Sequence, residues 1–314
     1  MKTISFRHAA SLALTLFSLT SSSAHAQDFT FKQSIGGPGS GTGQFTDPYF
    51  LAFDASNNLY ASDFLNNRVE EFTHGGAYIR TLGSGQLSRP LGITLDAGGN
   101  IYIGDYGNSR IVEYNSAGSL VRTVASGVYL PYGLAFDPSA NLWVQENHSN
   151  IVEFDNNGNV VKTVGTPGSG PGQIRDAGGI AFDGNSNLYD ADLANNRINE
   201  FDSTGGFVRT IGSGGFADVR VDGSGNVFAT DFNSNRVVEY DASGAFVQNI
   251  GVGQLSSPSG LAFDNNGNLF VANYGTSNIV EFDLVSTPEP SALAAFCTGA
   301  CLLGLRRRKR KLTS

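Results

Sequence analysis

Between residues 46 and 283, apolar side chains fall on alternate positions in short bursts separated by clusters of Gly, Asn, Asp and Ser. A period of two marks half-buried strands, and the clusters supply the turns between them. One burst in each set ends in apolar-x-apolar-Asp. Leu51-Ala52-Phe53-Asp54 is the first, and the aspartate recurs as Asp96, Asp137, Asp183, Asp222 and Asp264. The spacings of 42, 41, 46, 39 and 42 residues suit one four-stranded sheet per repeat. Each Asp leads into a turn that closes on Asn58, Asn100, Asn141, Asn187, Asn226 or Asn268. Three more strands follow, seen in the first repeat as Leu59–Asp63, Arg68–Phe72 and Tyr78–Gly83.

The second repeat reads Pro90-Leu91-Gly92-Ile93-Thr94-Leu95-Asp96, then Gly99-Asn100-Ile101-Tyr102-Ile103-Gly104-Asp105, then Asn108-Ser109-Arg110-Ile111. This resembles the NHL repeat, and six copies in phase cover residues 46–283. The resemblance implies an all-β, six-bladed β-propeller. The sixth copy stops after its third strand, at Ile279–Asp283, whereas Phe31-Lys32-Gln33-Ser34-Ile35-Gly36 matches Phe246-Val247-Gln248-Asn249-Ile250-Gly251. The N-terminal strand is therefore expected to complete the last blade, which removes an open sheet edge.

The ends read differently from the body. Residues 1–26 combine Lys2, Arg7 and His8, the apolar run Ala9–Leu19 and Ala24-His25-Ala26. That is the layout of a secretory signal peptide, with a mature chain from Gln27. Residues 286–314 contain Pro288, Glu289 and Pro290, an apolar run from Ser291 to Leu305 and six basic residues. This resembles a PEP-CTERM sorting tail of Gram-negative bacteria. The resemblance implies an exosortase as processing partner, transient anchoring in the inner membrane, and release or display at the cell surface. A plain C-terminal anchor is the other reading, and in both the propeller of residues 27–285 faces away from the cytoplasm.

Charge then narrows the partners. Eight of the 20 Lys and Arg sit at the two ends, and 27 of the 28 Asp and Glu lie between them, the exception being Glu289. Twelve basic against 27 acidic side chains give that stretch a net charge of −15. Such a surface repels phosphate backbones, so no nucleic-acid partner is expected. Cys297 and Cys301 both lie in the tail, so the body has no disulfide.

Most recurrent residues read as architecture. Asp63 and Arg68, Asp105 and Arg110, Asp192 and Arg197, and Asp231 and Arg236 are spaced to pair across a turn as bidentate ion pairs. In the sixth repeat both partners change together, to Asn273 and Asn278; in the third they become Glu146 and Asn150. Glu71, Glu113, Glu153, Glu200, Glu239 and Glu281 are assigned to solvated or inter-blade positions, and Trp143 to the core. No cofactor and no metal ligand set is expected. The segment Asp264–Asn268 resembles the start of a calcium loop but lacks the closing Glu, and Asp190 and Asp218, which break their repeat positions, leave room for a divalent cation near the channel mouth.

Function is less legible. The body has only His74 and His148, in turns on opposite rims, and no Ser-His-Asp or Cys-His set, so no catalytic residue is assigned. The expectation is a non-catalytic binding or scaffolding propeller at the surface or in the extracellular matrix, with a protein or glycan partner. The alternative is a metal-dependent lyase or lactonase-like hydrolase on the propeller rim. Repetition breaks where the third repeat's turn is one residue short and the long connection 165–177 follows it. Glu146, Asn147, His148, Arg175 and Asp176 are the candidate binding residues on that ground.

Overall fold

The computed structural model describes residues 27–147 and 150–285. The signal peptide, His148 and the Pro288-Glu289-Pro290 tail lie outside the described residues. Six antiparallel four-stranded sheets form the blades of a propeller. In the first blade the strands are Pro48–Phe53, Leu59–Asp63, Arg68–Phe72 and Tyr78–Leu82. The middle two strands are buried along their whole length, and the fourth is largely exposed.

The first strands of the six blades contact one another in sequence, and the last contacts the first, so they enclose a central channel. The six hydrophobic clusters sit one at each blade interface. Leu51, Ala61 and Phe72 of blade 1 pack with Phe270 and Ile279 of blade 6, and Trp143 and Ile151 of blade 3 pack with Leu188 and Phe201 of blade 4. Every blade therefore buries its faces only against its neighbours, and stability depends on the ring being closed. Closure comes from Asp28–Ile35, which pairs antiparallel with Asn278–Val285 and supplies the fourth strand of blade 6.

Glycine enters the channel wall for a specific reason. A Cβ on Gly92 would meet the carbonyl of Tyr132, one on Gly133 the carbonyl of Gly178 and one on Gly260 the carbonyl of Tyr49, each in the next blade. In these three blades the first strand lies too close to the next blade for a side chain at this level. Phe50 and Asp218 take the same position in blades 1 and 5.

The recurrent polar residues build turns and lock strands. Asp54 Oδ1 accepts the backbone N–H of Ser56 and Asn58, and its Oδ2 accepts Asn58 Nδ2. Asp264 repeats this on Asn266 and Asn268 and also meets His74 Nε2 at 2.7 Å. With both carboxylate oxygens held by N–H donors, the Asp264 turn is a hydrogen-bonded hairpin. The glutamate row is neither solvated nor chiefly inter-blade. Glu113 and Glu200 are buried and pair with Arg122 and Arg209 directly opposite on the fourth strand. Trp143 is 4% exposed, with its Nε1 donating to Asp137.

Candidate functional site

The four predicted Asp–Arg pairs all form. They are not bidentate forks between two carboxylate oxygens, however: Arg68, Arg110 and Arg197 use their terminal nitrogens on backbone carbonyls, and Arg236 sets two nitrogens on the same Asp231 oxygen. Arg68 Nε donates to Asp63 Oδ2 at 3.0 Å, and its two terminal nitrogens reach the carbonyls of Ser40, Gly41 and Gln44. Arg197 treats Ser169, Gly170 and Gln173 in the same way. The two Gly-rich connections, before blades 1 and 4, are thus the same loop built twice on opposite sides of the ring. Where the arginine is lost, a neutral group takes its place: Asn150 Nδ2 donates to Glu146 Oε2, and Thr276 bridges Asn273 and Asn278.

The strand-end acid also holds the loop that enters each blade. Thr46, Ser88 and Arg175 donate their backbone N–H groups to Asp63, Asp105 and Asp192. Glu146 does this for Tyr129 at 2.9 Å. Glu146 therefore carries the same architectural duty as its counterparts, and Asn147 donates its backbone N–H to Tyr129 O. His148 lies outside the described residues. Of the five predicted binding residues, Asp176 is the one brought to a distinct environment. It is half-buried beside Tyr49 and Tyr132, and burial pushes its carboxyl above the usual range.

Those tyrosines belong to an aromatic arc around the channel mouth that the sequence reading missed. The residue directly after each second strand is Phe64, Tyr106, Asn147, Leu193, Phe232 or Tyr274, and all six are partly exposed. Ring centroids are 5.9 Å apart for Phe232 and Tyr274, 6.3 Å for Tyr274 and Tyr49, 6.2 Å for Tyr49 and Phe64, and 6.1 Å for Phe64 and Tyr106. Tyr132 packs edge-on against Tyr49, and the two hydroxyls are hydrogen-bonded. Burial raises the Tyr49 hydroxyl to about 12 and the Tyr132 hydroxyl well above its ordinary value, so both stay protonated. Arg89 lies over the Phe64 ring at 5.9 Å. The signal was available: five of six otherwise polar turns begin with an apolar residue.

The backbone around this mouth is unusual. Asp47, Arg89, Leu130 and Ser257, each just before the proline that starts a first strand, have φ between 47° and 63°. That region is disfavoured for any residue before proline. Its recurrence in four blades makes it the means by which the connecting loop turns into the channel. Asn67 Oδ1 and Asn235 Oδ1 of the preceding blades fix it by accepting the Arg89 and Ser257 N–H groups.

The two acids expected near the channel mouth are both fully buried. Asp190 is fully buried between blades 3 and 4, where Gln145 faces it and Asn199 Nδ2 donates to it at 3.1 Å. Burial and the charge of Asp192 push the Asp190 carboxyl up to about 7. Gln145, Asp190 and Asn199 hold four buried polar atoms without a hydrogen-bond partner. Asp218 does stand in the channel wall, but its oxygens accept the N–H groups of Val219 and Leu261 and a terminal nitrogen of Arg220. Among the described residues no three His, Cys, Asp or Glu side chains converge as a metal site.

Comparison with known proteins supports the fold and leaves the chemistry open. A family model for the NHL repeat matches residues 87–114. No curated protein matches the chain. Virginiamycin B lyase from Staphylococcus aureus superposes with a TM-score of 0.59 at 15% identity, covering 83% of this chain and 90% of that one. A gluconolactonase from Xanthomonas campestris gives 0.62 at 15% identity, covering 83% and 100%. A chain of a nidogen/laminin complex gives 0.59 at 22% identity, covering 68% and 83%. Two enzymes and one protein-complex component share this fold with the chain at identities that speak for the fold alone. The chain is a six-bladed β-propeller that carries an NHL repeat at residues 87–114.

Proposed function

We propose that this propeller is a glycan-binding module displayed outside the cytoplasm, with the ligand lying across the aromatic arc from Phe232 to Tyr106. The arc is the observation that carries the reading. Partly exposed rings with phenolic hydroxyls at their edges offer apolar faces to sugar C–H groups and hydrogen bonds to sugar hydroxyls. The acidic body disfavours a phosphate-rich ligand. Topology supports the display. Asp28 pairs with Val285, so both described ends leave from the face of the first-to-second-strand hairpins, opposite the arc. A tail continuing from Val285 would tether that face and leave the arc outward. Binding of the purified protein to a panel of bacterial exopolysaccharides tests the reading, with Tyr106→Ala and Phe232→Ala as comparison. Loss of binding in both variants supports it; a peptide or protein ligand indifferent to both substitutions overturns it. Intact mass of protein from its native host tests the sorting proposal, which requires loss of Arg306–Lys311.

One observation favours a catalytic reading. Asp176, held above the usual carboxylate range beside the hydrogen-bonded Tyr49 and Tyr132, is a group suited to exchanging a proton at the mouth. Two of the fold relatives are named as a lyase and a gluconolactonase. The donors of the described residues do not fit the metal such a hydrolase or lyase would use, so this reading rests on Asp176. Turnover of an aldonolactone that disappears in Asp176→Asn would favour it over simple binding.

A further inference from the structure

On the face opposite the aromatic arc, the channel opens as a funnel of about 430 Å³. Its outer ring is Phe53, Leu95, Phe136, Phe182, Val221 and Phe263, one apolar residue from the end of each first strand. One step deeper, five blades present Ala52, Thr94, Ala135, Ala181 and Ala262, and the fifth blade presents Arg220. A small side chain satisfies this position everywhere else, so packing alone does not call for a guanidinium. Among the described residues Arg220 is the one charged residue lining the funnel, and its side chain is 20% exposed.

Its bonds are lopsided. One terminal nitrogen donates to Asp218 at 2.6 Å and to the carbonyl of Val219 at 2.7 Å, with Ile180 O at 3.5 Å. These contacts fix the guanidinium, because Asp218 is itself pinned by Val219 and by Leu261 of the next blade. Nε and the other terminal nitrogen have no hydrogen-bond partner among the described residues. A planar donor pair, held rigid at the side of a small cavity with an apolar outer ring, matches the two oxygens of a carboxylate.

We propose that this funnel binds a small apolar carboxylate, its carboxylate on the free edge of Arg220 and its hydrocarbon part against Phe136, Phe182 and Phe263. The site is separate from the arc, since it lies at the other end of the channel, and it does not depend on the glycan reading. Charge complementarity selects the anion, and the ring of apolar ends selects the tail. The five small residues leave the room that the ligand fills.

Calorimetric titration of the protein purified from its host with phenylbutyrate, and with its methyl ester, tests this. Binding of the acid at least tenfold tighter than of the ester is expected. Arg220→Met should remove that preference. Because that change leaves Asp218 without its counter-ion, a second variant is needed that leaves the pair intact: Ala135→Leu narrows the funnel beside Phe136 and should weaken binding of the acid at least tenfold, with circular dichroism checking that the variant is folded. Absence of binding to the unmodified protein, equal affinity for acid and ester, or undiminished binding by Ala135→Leu would each overturn the proposal.

Discussion

Arg68 holds Asp63 through its Nε at 3.0 Å while the rest of its guanidinium binds three carbonyls of the preceding loop, so one side chain joins a hairpin turn to the chain that enters the blade. Asp63 is completely buried and receives the Thr46 N–H and Asn66 Nδ2 as well. Arg68→Ala should therefore cost about 3 kcal/mol or more, the range for stripping a buried charge of its partner. Arg68→Lys should recover little, since an ammonium cannot reach a carboxylate and three carbonyls in one plane. Chemical denaturation of the two variants measures this. A loss below roughly 1 kcal/mol for Arg68→Ala would show that the loop holds without its clamp.

Ring closure makes a second prediction. Removing Asp28–Ile35 leaves blade 6 with three strands and uncovers Phe282, Glu281 and the edge of the last strand. It also removes Ile35, which is 2% exposed. Large-to-nothing losses in a core run to several kcal/mol, and for a body of this size that corresponds to a fall of roughly 10 °C in Tm or more. Thermal scanning calorimetry on the deletion variant decides it; an unchanged midpoint would refute closure by the N-terminal strand.

Asp190 gives a pH prediction with a defined sign. Its carboxyl titrates near 7 in the folded protein against an ordinary 3.8. The folded state therefore binds the proton more tightly, and stability falls as pH rises from about 4 to about 7, with no further loss above. Three units correspond to ~4 kcal/mol at most. Asp190→Asn removes the charge at nearly constant shape. It should stabilise the protein at pH 8 by several kcal/mol relative to wild type and hardly at all at pH 4. Urea midpoints for both proteins across that range test it, and parallel curves would contradict it.

The aromatic arc predicts a split between stability and binding. Tyr106 and Phe232 are partly exposed at the mouth, so their replacement by Ala should shift the melting temperature by only a few degrees. Glycan affinity should fall by about tenfold or more for each, since ring stacking contributes roughly 1–3 kcal/mol per contact in comparable platforms. Tyr49 is different: it packs on Phe50, Phe64, Tyr132 and Tyr274, and Tyr49→Ala should lower stability and binding together.

Much of the fold was legible in the chain itself, because each repeat restates the same local chemistry. Asp54 and Asn58 identify a hairpin turn from their spacing alone, and six in-phase copies leave a ring as the arrangement that buries both faces of every sheet. The surplus Phe31–Gly36 segment and the truncated sixth repeat likewise pointed to each other without coordinates. The aromatic arc was not read, although its residues recur. Phe64, Tyr106, Phe232 and Tyr274 are far apart along the chain, and their rings meet only because the ring of blades converges at its mouth. Arg220 looked like one more strand residue. Only the closed channel, with small residues at the same level in the other five blades, makes it the single charge among the described residues that line the funnel. Asp190 and Asp218 show the same limit from the other side. Both break the repeat, yet one is buried against a neighbouring blade and the other is buried in the channel wall, tied to Arg220 and to the Leu261 N–H of the next blade. Local pattern determines which face of a strand is buried; what lies against that face is set by strands some forty residues away, through packing that the period of the sequence does not encode.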